Sequence, residues 1–389
     1  MWSLLAFVVC AIVVSIMVVC FAEVGSRFTG TGGPYLYVRE AFGPLAGFEV
    51  GWLLWIARLT AFAASCNLFI SYLGYFWPGA TTPVARAITI IAIVTGLTAL
   101  NLSGVRNSTT VANVFTVAKL VPLTLFVAVG IFFVRGDAYD PGPLPSFDEF
   151  SVSVLLLVFA FSGFELATIA AGESRNPQRD LPPALLMAIG IVVFLYLMIQ
   201  VVAIGTLPAA ELAASSRPLA DAARSFLGPA GGAIISAGAL VSIGGNLLVI
   251  TLIAPRLLYA MAERNEMPAW LGSVHPRTRS PNPAILVTSA VVLALTLSGT
   301  FVYAATISVI ARLLAYTSTC LALPVLRRKP AAPPATFRAP LGGLLAAISL
   351  LVSIWLLTRT TLGQLRDAGI AILVGFVIHA IATRRRARS

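Results

Sequence analysis

The residues best suited to chemistry lie in one short segment, Phe159, Ala160, Phe161, Ser162, Gly163, Phe164 and Glu165. A glycine between aromatic residues, followed by a carboxylate, weakens a helix at that point. Unwinding there would free backbone N–H and C=O groups and create two half-helix ends, which can hold the ammonium and carboxylate groups of a zwitterion. The alternative is that Gly163 only allows neighbouring helices to pack closely. The residue types alone favour the two interpretations equally.

Four isolated basic residues, Arg58, Lys119, Arg256 and Arg312, lie within apolar stretches. Such residues are costly in lipid and usually face a cavity or a partner. Lys119 is closely followed by Pro122, which indicates local irregularity, and a buried lysine is a candidate proton carrier. Its alternative is a side chain that snorkels to the membrane surface. For Arg256 snorkelling is the simpler explanation, and for Arg312 it is pairing with another residue of the helix bundle. Arg58 lies deeper, and the sequence favours a position that lines a cavity no more than one that does not.

The elements that position these residues must cross a membrane. Of 389 residues, 58% are hydrophobic and 11% are charged, and the mean hydropathy is +0.93. A soluble fold of this size cannot bury so much apolar side chain, and disorder requires low hydrophobicity and many charges. The apolar runs are continuous rather than alternating, which argues against a porin-type barrel. The composition therefore predicts an all-α polytopic membrane protein.

Eleven apolar stretches are candidates for membrane-spanning helices, each of which needs about twenty residues. They are 2–22, 45–76, 86–102, 111–134, 151–171, 182–206, 229–261, 283–300, 302–325, 340–358 and 366–383. The apolar run 283–325 is too long for one crossing, and Ser298, Gly299 and Thr300 provide a break. The run 45–76 is also long, so part of it is expected to tilt or to lie outside the hydrocarbon core.

The distribution of Lys and Arg predicts the orientation in the membrane. One set of alternate loops holds sixteen, namely Arg27, Arg39, Arg106, Arg175, Arg179, Arg264, Arg277, Arg279, Arg327, Arg328, Lys329, Arg338, Arg384, Arg385, Arg386 and Arg388. The opposite set holds six, namely Arg86, Arg135, Arg217, Arg224, Arg359 and Arg366. Cytoplasmic loops carry the excess of basic residues. We therefore expect a multi-pass protein of the cytoplasmic membrane with its C-terminus inside and, with eleven spans, its N-terminus as given outside.

Several other classes of function are disfavoured by the same residues. The net charge is +11, but no basic stripe is interleaved with aromatic residues, as nucleic-acid sites require. The four cysteines lie in apolar stretches without paired spacing, which argues against disulfides and metal binding. Two histidines are too few and too scattered for a metal cluster. Clustered acid–base groups are also missing from the sequence, so we expect neither an enzyme nor a cofactor.

Four blocks of sequence resemble the amino acid–polyamine–organocation (APC) superfamily of permeases. These blocks are Glu23–Phe28 with Gly32–Pro44, Phe159–Glu165 running into Glu173–Pro183, Pro255–Ala262 with Met267 and Pro268, and Arg312–Tyr316. The resemblance implies a leucine-transporter-type inverted-repeat fold. On that basis residues 1–134 form a first repeat with four spans, 135–326 a second repeat with five spans and a broken helix at 159–165, and 327–389 two additional spans with a basic tail.

The resemblance also implies roles for individual residues. Phe159 resembles the family's aromatic gate, Ala160 to Phe164 its backbone cradle for substrate, and Glu165 its helix-six acid. Lys119 resembles the fifth-helix lysine whose ammonium group stands in for sodium in sodium-independent members. Phe62 and Ser65 fall where third-helix pocket residues lie. The implied substrate is an amino acid, moved by exchange or with protons.

The chain departs from the family pattern at its start, where the first helix with its glycine-rich break is not represented. We expect this helix to be encoded upstream of Met1. The leading hypothesis is a secondary transporter of amino acids. The alternative is a truncated, transport-inactive remnant or a regulatory substrate-binding membrane protein.

Overall fold

The computed structural model describes residues 2–30, 32–104, 120–139, 143–169, 171 and 174–386. These residues form α-helices joined by loops and short 3₁₀ turns, and no strand occurs among them. The helices are α1 (Trp2–Gly25), α2 (Pro34–Phe42), α3 (Pro44–Leu73), α4 (Pro83–Leu102), α5 (Leu120–Phe133), α6 (Phe147–Phe161), α7 (Glu165–Ile169), α8 (Pro177–Thr206), α9 (Ala209–Ala214), α10 (Pro218–Glu263), α11 (Asn282–Ser298), α12 (Phe301–Arg328), α13 (Gly342–Leu357) and α14 (Leu362–Arg386). Lys119 lies outside the described residues.

Within this described part of the chain, seven helices are long and apolar enough to cross a membrane: α1, α3, α4, α8, α10, α12 and α14. Three shorter apolar helices, α5, α11 and α13, accompany them. The prediction of an all-helical, multi-span membrane protein is confirmed. The predicted break between the spans 283–300 and 302–325 is also confirmed, because α11 ends at Ser298 and α12 begins at Phe301.

Proline and hydroxyl residues define where many of these helices begin. A proline lies in the first turn of α2, α3, α4, α8, α10 and α11, where its missing N–H has no helical partner to lose. The helix α6 begins instead with a capping box, in which Ser146 accepts from the Glu149 N–H and Glu149 accepts in return. These signals place the starts of helices independently of hydrophobicity.

The helix α10 begins earlier than the apolar run 229–261 predicts. It starts at Pro218 and changes direction at Gly228, whose φ is 66° and whose ψ is −162°, immediately before Pro229. The prediction found only the part after this kink. The physical reason is that the first turns carry polar residues such as Asp221 and Arg224, which lower the hydropathy without preventing a helix.

Two helices form the centre of the bundle. In the most apolar windows of α3 and α12, 78% and 72% of the residues are buried, compared with 11% for α4 and α14. Ala63 and Ala64 of α3 pack against Ala304 and Ala305 of α12, and small residues of this kind let helix backbones approach closely. The remaining apolar surface of α4 and α14 faces outward, as expected for helices in contact with lipid.

A buried carboxylate joins several segments at one end of the bundle. Glu23, at the end of α1, is fully buried and accepts from the Arg327 guanidinium of α12 at 2.8 and 2.5 Å. It also accepts from Arg27 at 3.1 Å and from the backbone N–H of Ala339 at 2.8 Å. These contacts bring the end of α1, the end of α12 and the loop that follows α12 together at one end of the bundle.

The loops with six basic residues meet at the opposite end. Arg86, in the first turn of α4, donates to the carbonyl oxygen of Gly299 at 3.0 Å, between α11 and α12. Arg359, after α13, forms an ion pair with Asp148 of α6. Gly299 and Arg359 lie at the ends of α12 and α13 that are opposite to Arg327 and Ala339, so these two contacts mark the other end of the bundle.

Candidate functional site

The helix that contains residues 159–165 is interrupted. The helix α6 ends at Phe161 and α7 begins at Glu165, and Ser162 between them is extended with a φ of −79° and a ψ of 160°. Gly163 has a φ of +118°, a conformation that residues with a Cβ rarely adopt. Apart from its chain neighbours, no atom of the described residues lies within 4 Å of the place where a Cβ on Gly163 would stand. Among the described residues no helix packs closely against Gly163, and its positive φ is the feature that requires a glycine.

Contacts with neighbouring helices hold the end of α6 in place. The Tyr196 hydroxyl of α8 donates to the carbonyl oxygen of Ala160 at 3.2 Å. The rings of Tyr196 and Phe7, from α8 and α1, pack edge-on against Phe161 with centroids 5.2 and 6.2 Å away. The side chain and backbone N–H of Ser162 both donate to the Phe159 carbonyl oxygen, at 2.7 and 3.3 Å. The break is thus a fixed feature with its own hydrogen bonds.

Glu165, the first residue of α7, lies at the centre of a buried ion network. Its Oε1 accepts from Nη1 of Arg312 at 2.5 Å, and its Oε2 accepts from the Tyr316 hydroxyl at 2.5 Å. Oε2 also accepts from the backbone N–H of Gly163 at 2.9 Å. Both charged side chains are at least nine-tenths buried. The network couples the broken helix to α12, which supplies Arg312 and Tyr316.

A second arginine faces the same carboxylate from α3. Nη2 of Arg58 lies 3.9 Å from Oε1 of Glu165, which is an ion-pair distance but too long for a hydrogen bond. The Arg58 side chain is 2% exposed, and its Nε and Nη2 have no hydrogen-bond partner among the described residues. Arg58 and Arg312 therefore share one carboxylate, and only Arg312 is hydrogen-bonded to it.

The aromatic residues of the segment contact different parts of the bundle. Phe159 is half-buried, 6.1 Å edge-on from Phe301 at the start of α12. Phe164 lies between Phe21 of α1 and Tyr316 of α12, at centroid distances of 5.0 and 4.9 Å. Phe164 therefore covers the ion network on the α1 side, whereas Phe159 lies on the other side of the break.

Phe62 and Ser65 of α3, which the family resemblance assigned to the substrate pocket, contact α4, α10 and α11. Phe62 is buried and lines a small pocket with residues of α4, α10 and α11, among them Val94 and Thr288. Ser65 accepts a hydrogen bond from Asn246 of α10 at 3.2 Å. These contacts place Phe62 and Ser65 on the α10 side of α3, while Arg58 of the same helix reaches Glu165.

The sequence singled out Arg58, Arg312 and Glu165 separately but did not join them, and it gave Tyr316 no role. Their charges offered one signal, since a carboxylate within an apolar span requires a cation, but four basic residues within apolar stretches were candidates for it. Glu165 is 147 residues away from Arg312 and 107 residues away from Arg58 in the sequence, so local spacing could not indicate the pairing. Arg256 is exposed, as its snorkelling interpretation predicts. Among the described residues, no group of three His, Cys, Asp or Glu side chains could hold a metal ion.

A multi-span helix bundle with a helix broken beside buried charges is typical of secondary transporters. Residues 1–378 match the amino acid permease family, and the chain belongs to this family of the APC superfamily. It is thus a member of a transporter family and not an enzyme.

Similar proteins are found among bacterial transporters. The serine/threonine exchanger SteT of Bacillus subtilis is 29% identical over 91% of this chain and 82% of its own length. The methylthioribose transporter of the same organism is 26% identical over 98% of the chain and 86% of its own length. An uncharacterized transporter of Mycobacterium tuberculosis is 33% identical over 75% of the chain. The alignment covers 65% of that mycobacterial protein, less than two thirds of its length.

Proposed function

We propose that this protein moves amino acids across the cytoplasmic membrane by alternating access, with the substrate held at the helix break 159–165. The observation that carries the proposal is the backbone at Gly163, which leaves the helical conformation beside a buried carboxylate and has no other described residue within 4 Å of its Cβ position except its chain neighbours. Unwound backbone and half-helix ends bind the charged groups of substrates in transporters of the inverted-repeat type. Membership of the amino acid permease family and the similarity to a serine/threonine exchanger support amino acids as the substrate class.

The proposal includes a leucine-transporter-type arrangement with eleven membrane crossings. In it, residues 1–134 and 135–326 are inverted repeats, and 327–389 adds two helices. The helices α6 with α7, α8, α10, α11 and α12 are the five elements of the second repeat. The buried positions of α3 and α12, which pack against each other and each turn an arginine toward Glu165, support a scaffold against which the broken helix can move.

Within this scheme each residue of the site has a proposed role. Phe159 acts as the aromatic gate, and the backbone from Ala160 to Phe164 forms the cradle for the substrate's ammonium and carboxylate groups. Glu165 fixes the cradle through its bonds to Gly163 and α12. Phe62 and Ser65, whose contacts here are with α4, α10 and α11, are assigned to the pocket on the strength of the family resemblance alone. Lys119 is proposed as the coupling residue on the strength of the family resemblance alone.

Transport by purified protein in liposomes tests this function. Labelled serine and labelled glutamate are tested in parallel. We expect the transported amino acid to enter faster when the liposomes contain the same unlabelled amino acid than when they are empty, because an exchanger returns to its outward-facing state with substrate bound. An imposed inward proton gradient should accelerate uptake instead if protons are coupled to transport. Protein-free liposomes provide the control, and methylthioribose should be tested beside the amino acids. A lack of uptake under every condition would favour the transport-inactive alternative.

The proposed orientation has the basic-rich end of the bundle in the cytoplasm. The contacts of Glu23 join the end of α1, the end of α12 and the loop after α12, all of which belong to the basic-rich set, and the positive-inside rule assigns such an end to the cytoplasm. A reporter fused after Ser389 should therefore report a cytoplasmic location, and one inserted within 136–148 an external location. Opposite labelling of both fusions would overturn the orientation.

A further inference from the structure

One edge of the buried Arg58 guanidinium makes no hydrogen bond to any described residue. Its Nε and Nη2 atoms, which lack hydrogen-bond partners among the described residues, lie on one edge of the planar group. This edge can donate two parallel hydrogen bonds to one carboxylate. Glu165 does not take them, because its nearer oxygen is 3.9 Å away and is already bonded to Arg312. Buried donors without partners are rare and costly.

The charges around Arg58 do not balance within the described part of the chain. The groups near its guanidinium are Glu165, Arg312 and the neutral phenol of Tyr316. Two cations and one anion leave a net charge of +1 in a region shielded from water. A buried charge of this kind requires a counter-charge, so the network is complementary to one additional negative group.

This charge lies beside the place proposed for the substrate. Glu165 contacts Arg58 through Oε1 and the Gly163 N–H through Oε2, so only one carboxylate separates the guanidinium from the break. Gly163 itself borders open space. An amino acid with a neutral side chain, held at the break as a zwitterion, has no net charge and does not balance Arg58. An amino acid with an acidic side chain carries the one additional negative charge that the network lacks.

We propose that Arg58 is a specificity residue that pairs with the side-chain carboxylate of the substrate, so that the protein selects dicarboxylic amino acids. This inference rests on the proposed function, because it assigns a substrate class to the same site. The Nε and Nη2 edge of Arg58 binds the carboxylate, and Arg312 keeps Glu165 in its present position. Neutral amino acids of the same shape lack this charge and leave Arg58 without a partner.

Binding of matched acidic and neutral amino acids to the purified full-length chain tests the proposal. Glutamate and glutamine have nearly the same shape, as do aspartate and asparagine, and each pair differs by one charge. We expect the wild type to bind glutamate at least about 10-fold more tightly than glutamine, the ratio typical of one charge-assisted hydrogen bond. In Arg58→Met this ratio should fall to about 1. Arg58→Lys should retain part of the preference, because an ammonium group keeps the charge but not the two-point geometry.

Exposed Arg224 on α10 provides the matched control, and Arg224→Met should keep the wild-type ratio. A wild type that binds glutamine as tightly as glutamate overturns the inference even if no Arg58 variant folds. Equal weakening of both ligands by Arg58→Met also overturns it, because Arg58 would then act only by positioning Glu165. If neutral amino acids bind and acidic ones do not, this inference fails and the proposed function stands. If no amino acid binds, both fail.

Discussion

Purified Gly163→Leu protein is expected to bind its amino acid substrate at least about 100-fold more weakly than the wild type, a loss typical of a displaced binding geometry. Two physical effects act together. The φ of +118° is unfavourable for any residue with a Cβ, at about 1–3 kcal/mol. The leucine side chain would also occupy the open space beside the break, where we propose that the substrate lies. Equilibrium binding of labelled serine, glutamate and leucine to detergent-purified protein would measure the loss.

The glycine at position 190 offers a matched control for this substitution. Gly190 lies on the exposed face of α8, and a Cβ there would also meet no atom within 4 Å. Because Gly190 has an ordinary helical backbone, Gly190→Leu should leave binding unchanged. Gly163→Ala adds backbone strain with little bulk and should give an intermediate loss. Wild-type affinity in correctly inserted Gly163→Leu protein would remove the break from the proposed site.

Glu165→Gln is expected to reduce the stability of the protein by about 3–5 kcal/mol, the cost of leaving buried charges without their counter-ion. The substitution keeps the size of the side chain but leaves Arg58 and Arg312 facing each other without a carboxylate. It also replaces the charged acceptor of the Tyr316 hydroxyl. The temperature at which the detergent-purified protein loses its monodisperse form would measure the effect.

The opposite substitution at Arg58 should behave differently. Arg58→Met removes the cation that makes no hydrogen bond and leaves Glu165 paired with Arg312, so stability should be unchanged or increased. The double variant Glu165→Gln with Arg58→Met should recover part of the stability that Glu165→Gln loses. If Glu165→Gln unfolds at the wild-type temperature, or if Arg58→Met is the more damaging change, the charge balance described here is wrong.

Much of the fold could be predicted from the sequence because membrane helices are defined locally. An apolar run of sufficient length must be a helix in lipid, since no water is present to bond with its backbone. This constraint predicted α1, α3, α4, α8, α12 and α14 with small errors at their ends. It failed at Pro218–Glu263, where a helix begins with polar turns and bends at Gly228. A high mean hydropathy does not mark a helix start that is made of polar residues.

The candidate site was predictable only in part. The sequence Phe159–Glu165 indicated a weak point in a helix, but the types of its residues did not distinguish a break from a close helix contact. The geometry of Gly163 favours the break, because its φ is positive and no described residue other than its chain neighbours packs against it. Phe62 and Ser65 were named from the family resemblance alone, and only the structure shows that they contact α10 whereas Arg58 of the same helix reaches Glu165.

The sequence by itself determined that this is a multi-span helical protein of the amino acid permease family, and it predicted which loops share one side of the membrane. Composition, apolar run length and the positions of basic residues act locally, so no knowledge of packing is needed to interpret them. Only the tertiary structure decided that Arg58, Glu165, Arg312 and Tyr316 form one network with an excess positive charge. The reason is that pairing between charges depends on how helices distant in sequence are brought together, and burial then makes each unpaired group energetically significant.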